Sequence, residues 1–225
     1  MPPPNPHRRR ALADAAVSLL ADRGAHGLTH RSVEALAEVP AGTASNYFRS
    51  REALLVAAAE RIVELHLADM EAATAAEGTG TEGAAVEPSG RPWWAEDAEA
   101  FADLLAESLW TAATALRERY LAVFELQLEA RRSPALTEAL AGLGGAAVRA
   151  SAGLHTAAGS PVPEAAVPIV GDLYAGVLFT LVARPAETLD REAVRARAAA
   201  IVHGALAAAP APTAPDGGPG PEGRP

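Results

Sequence analysis

The chain has 225 residues, 49% of them hydrophobic and 21% charged, with a formal net charge of −9. That composition suits a folded globular chain, long enough for a small domain followed by a larger one. Cysteine is absent, which excludes disulfides and thiolate chemistry, and no apolar run reaches the roughly 18 residues of a membrane-spanning helix. All the basic residues are Arg, and residues 1–51 carry seven of them against four acids, so a basic segment precedes an acidic remainder. Such segregation confines attraction for phosphate to one end. The start, Met1 to Arg10, is rich in Pro and Arg, and Asp14 and Asp22 break the apolar stretch that follows. This is a poor signal peptide, and a cytoplasmic location without membrane contact is the expectation.

In chain order, residues 1–7 read as disordered. A first helix is predicted from about Arg8 to Arg23, with Leu12, Ala15, Ala16 and Leu19 at helical spacing and Gly24 as its C-terminal stop. Thr29 is the expected N-cap of a second helix over about 31–37, with Val33, Leu36 and Ala37 inward. A break near Val39-Pro40 precedes a short third helix over about 41–47. Ser50 then caps a fourth, whose inner face is Leu54, Ala58, Ile62 and Leu65. Residues 76–95, rich in Gly, Thr, Glu and Pro, read as a mobile loop. Helical periodicity returns at Glu96 and continues through Leu116 and Tyr120 to Leu128. Ser133-Pro134 restarts a helix, Gly159-Ser160-Pro161 breaks the chain, and two last helices are expected over 163–183 and, after Asp190, over 191–208. The Pro/Gly-rich tail, 209–225, reads as disordered. No strand pattern is present, so the fold class is all-α.

Residues 29–55 carry the functional signal. Two short helices joined by a tight turn form a helix-turn-helix. The second helix must be slim and polar on its outer face to enter a major groove. Ala41, Gly42 and Ala44 keep it slim, while Thr43, Ser45, Asn46 and Tyr47 offer groups for base edges, phosphates and sugars. Phe48 is the apolar anchor. Arg51, at the start of the next helix, is placed to reach phosphate. His30 is a surface residue able to donate to phosphate.

At these positions the sequence resembles the TetR/AcrR family of transcriptional regulators. The resemblance rests on Thr29, Ala37, Val39, Gly42-Thr43, Tyr47-Phe48 and Ser50-Arg51-Glu52-Ala53-Leu54, within residues 8–55. Three positions depart from the family pattern. Glu38 stands where a turn glycine is usual, Ser45 where a tyrosine touching the DNA backbone is usual, and Arg51 replaces lysine. The resemblance implies that Thr29, Arg31, Thr43, Ser45, Asn46, Tyr47 and Arg51 contact double-stranded operator DNA. It also implies a three-helix DNA-binding domain over 8–55 and a helical ligand-binding and dimerisation domain over 56–208. The homodimer would form through the last two helices, and a small-molecule effector of unspecified identity would sit between the middle helices.

The segment 163–183 is apolar around most of its circumference, which requires burial on more than one side, by a subunit partner or in a monomer core. Trp110, Arg117, Tyr120, Phe124 and Gln127 fall at spacings that could line one wall of an effector pocket, or could equally be core. Glu125 and Glu129 read as a solvated pair near Arg132. The six His are scattered without ligand spacing, and no phosphate-binding glycine loop or nucleophile motif appears. No catalytic residue, metal or cofactor is assigned. The reading is a repressor released from its operator by a small molecule. The alternatives are an activator or effector-independent regulator, and an all-α enzyme or ligand carrier with a vestigial helix-turn-helix.

Overall fold

The computed structural model describes residues 5–78, 97–141 and 162–208. They form nine α-helices and no strand among the described residues: α1 Pro6–Arg23, α2 His30–Leu36, α3 Thr43–Tyr47, α4 Arg51–Gly78, α5 Ala98–Ala113, α6 Arg117–Ala130, α7 Pro134–Ala141, α8 Val167–Val182 and α9 Arg191–Ala208. The tail from 209 and the expected break at 159–161 lie outside the described residues.

Several boundaries differ from the sequence expectation, each for a local reason. Order begins before residue 8, because the Asn5 side chain accepts from the His7 and Arg8 amides and Pro6 supplies a preset φ for the first turn. Helix α3 starts at Thr43 rather than near 41, since Pro40 and a left-handed Gly42 (φ +84°) make the turn that precedes it. Helix α4 continues through 76–78, and the rest of the expected loop, 79–95, lies outside the described residues. The helix expected to run unbroken from 96 to 128 is two helices. At Thr114 the backbone leaves helical values, the hydroxyl bonds back to the Trp110 carbonyl, and the Leu116 amide reaches to Thr111. Helix α8 is preceded by a single 3-10 turn, Glu164–Ala166, and carries Pro168 in its first turn, where no amide is lost.

Two apolar cores result. One joins α1, α2, α3 and the start of α4 to Ala122, Val123 and Leu126 of α6 and Leu136 of α7. The other is built by α5, α8 and α9, with Tyr120, Leu121 and Phe124 of α6 packed against it. Helix α6 therefore serves both cores from different faces. Polar contacts fix it to the N-terminal helices: Glu125 Oε2 accepts from the Ala25 amide at 2.9 Å, and Arg51 donates to the Ala25 carbonyl at 2.5 Å and to Glu129 at 3.3 Å. The Glu125–Glu129 pair is thus occupied by the N-terminal helices and not by Arg132.

The turn after α2 contains Glu38 at φ +53°, the one non-glycine with positive φ among the described residues. The chain keeps the left-handed turn and holds a side chain in it, at a cost of about 1 kcal/mol. Glu38→Gly is expected to raise stability by up to about that amount, read as a higher denaturant midpoint at unchanged slope. A lower midpoint would show that the Glu38 side chain contributes more than its backbone strain costs.

Candidate nucleic-acid interface

Helix α2 starts at a reciprocal cap. The Thr29 hydroxyl accepts from the Ser32 amide at 3.0 Å, and the Ser32 hydroxyl accepts from the Thr29 amide at 2.9 Å. Helix α3 has no such cap, because Gly42 at its start has no side chain. Its first turn is held from α2 instead: the buried Glu34 carboxylate accepts from the Ala44 amide at 2.8 Å. At the other end of α3, His30 Nε2 meets the Phe48 carbonyl at 2.7 Å, which requires the proton on Nε2. Helix α2 therefore grips α3 at both ends. Ala44 and Phe48 point into the core beneath, and the Arg9 guanidinium lies 5.4 Å from the Phe48 ring centroid.

The seven candidate contact residues divide by what their side chains already do. Ser45 and Asn46 are exposed and form no side-chain hydrogen bond with any described residue. Arg31 is exposed and equally free. Thr29 is exposed but its hydroxyl serves the α2 cap. Thr43 is half-buried and donates to the Pro40 carbonyl. Tyr47 is half-buried, and its oxygen accepts from the Asn5 amide at 3.1 Å, leaving the phenolic proton for another acceptor. Arg51 is bound to Ala25 and Glu129 on the side of α6, with 43% of its side chain exposed and further N–H donors left over.

Sequence reasoning passed over Arg49, which is exposed beside the end of α3 and unpaired among the described residues. Its signal was its position just beyond the Tyr47-Phe48 pair. Glu34 was counted only as a charge. Its periodicity, next to inward Val33, placed it on the buried side. His30 is not a free surface donor, and Leu36, expected inward, is 50% exposed.

Of the five effector-pocket candidates, Trp110, Tyr120 and Phe124 all pack against the C-terminal core. Trp110 stacks under Arg191, 4.6 Å from the guanidinium, in a shallow groove of about 270 Å³ between α5 and α9. Tyr120 and Phe124 pack against the C-terminal core, Phe124 edge-on to Phe179 at 5.1 Å. Burial pushes the Tyr120 hydroxyl pKa up, and does the same to Tyr174, which bonds Ser108 at 2.8 Å. Gln127 is exposed. Arg117 faces a different groove, of about 670 Å³, between α1, α2 and α6. Among the described residues no group of three His, Asp or Glu side chains is placed to hold a metal.

Comparison with known proteins agrees with this layout. Residues 12–58 match the family model for bacterial regulatory proteins of the tetR family, and residues 96–208 match the tetracyclin repressor-like C-terminal domain. Among solved structures, the chain is similar to a TetR family member from Streptomyces coelicolor A3, with 25% identity, 87% of this chain and 98% of that chain covered, and a TM-score of 0.58. It is similar to the multidrug binding protein EbrR in complex with ethidium, at 25% identity, 86% and 98% coverage and a TM-score of 0.58. A transcriptional regulator from Rhodococcus sp. Rha1 shares the fold at 17% identity, 89% and 97% coverage and a TM-score of 0.66. No curated protein matches the chain.

The grip on α3 makes a prediction. Glu34→Ala leaves the Ala44 amide buried without an acceptor, which is expected to cost about 1–3 kcal/mol in chemical denaturation. Glu34→Gln, which keeps an acceptor oxygen, should recover part of the loss. Equal stability of all three proteins would remove Glu34 from the account of how α3 is held.

Proposed function

The chain belongs to the tetR family of bacterial regulatory proteins, and from that premise we propose that it is a dimeric repressor whose N-terminal helices read operator DNA and which a small molecule releases. In this reading residues 8–55 form the DNA-reading unit and residues 56–208 the ligand-binding and dimerisation unit. The observation that carries it is the exposed, unbonded pair Ser45 and Asn46 on a helix held at both ends, flanked by the unpaired cations Arg31 and Arg49. A rigid helix bearing free amide and hydroxyl groups is what base readout needs, and free guanidinium groups nearby supply phosphate attraction. Asn46 reads a base edge. Ser45 and Thr43 lie along the backbone contact, and Tyr47 donates its phenolic proton to a phosphate. Thr29, Arg31 and Arg49 hold phosphates to either side. Arg51 joins them on DNA with its remaining N–H donors.

Dimerisation through α8 and α9 is supported by what these helices leave uncovered. Leu173, Gly176 and Phe179 of α8 are exposed, and Phe179 is 53% accessible. Helix α9 presents Ala196, Ala200, Gly204 and Ala207. Small residues beside large apolar ones allow two helices of one protomer to close against the same two of its partner. Release by a ligand follows if the ligand binds one separation of the two N-terminal units better than the other. That the similar EbrR was solved with ethidium supports a small-molecule ligand here.

Binding is tested by fluorescence anisotropy on the intergenic DNA upstream of the protein's own gene, at fixed salt, with unrelated DNA as competitor. Asn46→Ala is expected to cost about 1–3 kcal/mol on the specific site and little on unrelated DNA. Arg31→Ala should weaken both and reduce the salt slope by about one. If Asn46→Ala changes nothing in a folded protein, base reading does not reside on α3. Phe179→Glu is expected to give a folded monomer by light scattering, with lost operator affinity because two half-sites are no longer linked. A dimer that survives this change would place the interface elsewhere.

A further inference from the structure

One groove lies outside the DNA-reading face. It holds about 670 Å³ and runs between α1, α2 and the first turn of α6. That volume is in the range of small-molecule sites. Its apolar wall includes Leu19, Leu121 and the half-exposed Leu36, a large side chain left uncovered although the pattern of α2 called for burial. At the α6 end stands Arg117. Its Nη1 is shut off from solvent and has no hydrogen-bond acceptor, and Arg117 forms no ion pair with any described residue. The neighbouring charges do not supply what it lacks: Asp22 is paired with Arg23 at 3.1 Å, and Glu118 is exposed to solvent. The first turn of α6 has no side-chain cap either, since Leu116 occupies the cap position.

We propose that this groove binds a small amphipathic anion, a carboxylate or sulfonate carried on an apolar chain or ring. The acid group pairs with Arg117 at the start of α6, and the apolar part covers Leu36 and Leu121. The Arg117 guanidinium lines the groove and no described residue supplies an acceptor to it, so its groove-facing edge is free to take an anionic oxygen. A cationic or purely apolar occupant would leave that group without an acceptor, and a neutral oxygen would serve it less strongly than an anionic one.

The position gives the ligand a direct hold on the DNA-reading helices. One wall belongs to α1 and α2, and the other to α6, which packs into both the N-terminal and the C-terminal core. A molecule touching both binds one spacing of those walls better than another, and its binding energy therefore biases where α2 and α3 stand. This consequence rests on the regulator reading above. The binding itself does not.

Binding is measured on the full-length protein with anilinonaphthalene sulfonate as the fluorescent probe, displaced by decanoate, with decyltrimethylammonium as a cation of the same chain length. The expected result is saturable binding of one probe per protomer, displaced by decanoate and not by the ammonium. Arg117→Met should weaken it about tenfold or more, the loss of one charge-assisted hydrogen bond. Ala35→Trp, on an exposed position of the groove wall, fills the space and should abolish binding even if the Arg117 variant folds poorly by circular dichroism. Trp110→Ala, in the separate groove between α5 and α9, should leave it unchanged. Absent binding, binding that survives Ala35→Trp, or equal displacement by the ammonium would each overturn the proposal. Decanoate is then added to the protein on its upstream DNA. Bound decanoate without any change in anisotropy, on DNA that the protein binds specifically, would keep the site and remove its regulatory role.

Discussion

Helix α6 is the constraint on which the arrangement of this chain depends. It contributes Ala122, Val123 and Leu126 to the core beneath the DNA-reading helices, and Tyr120, Leu121 and Phe124 to the core of the C-terminal helices. A helix with apolar residues on two faces cannot leave either core without opening it, and packed interiors do not tolerate gaps. The polar contacts add direction to that packing. Glu125 takes the Ala25 amide, and Glu129 shares Arg51 with the Ala25 carbonyl, so the turn between α1 and α2 is tied to one side of α6. A short bond from Ser133 to Glu52 repeats the tie one helix further on. Space is tight here: a Cβ added at Gly24 would come within 3.1 Å of Glu125. Displacement of α6 is therefore passed to the base of the DNA-reading helices through bonded groups as well as through packing.

How much of this the sequence revealed follows from the range of the interactions. Signals carried by a few adjacent residues were legible. Gly24 ending α1, Thr29 capping α2, Ser50 opening α4 and Asp190 opening α9 all appear as read, because each cap is made within four residues of chain. The helix-turn-helix was legible for the same reason. What failed was long-range. Glu125 and Glu129 look on paper like a solvated pair at helical spacing, and nothing local shows that their partners lie some eighty to a hundred residues earlier. Nor does anything local show that Arg51, placed at a helix start, also bonds Ala25 and Glu129.

The effector-pocket candidates show a second limit. Trp110 through Gln127 were grouped as though they lay on one continuous helix. The break at Thr114–Leu116 separates α5 from α6, so the helical spacing of these residues does not carry across it. Trp110 goes to α9, Phe124 to Phe179, Gln127 to solvent and Arg117 to the groove beside α2. Periodicity reports faces only while the helix axis is unbroken, and no Pro or Gly marks this break.

Glu38 and Glu34 together explain why the recognition helix could be read despite its departures. The turn between α2 and α3 needs a left-handed residue, and the chain meets that need with Glu38 at φ +53°, keeping the geometry while accepting strain. Helix α3 is five residues long and starts at a glycine, too short to hold itself together by its own hydrogen bonds. Glu34 and His30 supply from α2 what α3 lacks. Because those two bonds fix the inner side of α3, Ser45 and Asn46 on its outer side form no hydrogen bond within the described residues. Ser45 and Asn46 can be chosen for what they touch and not for what they support.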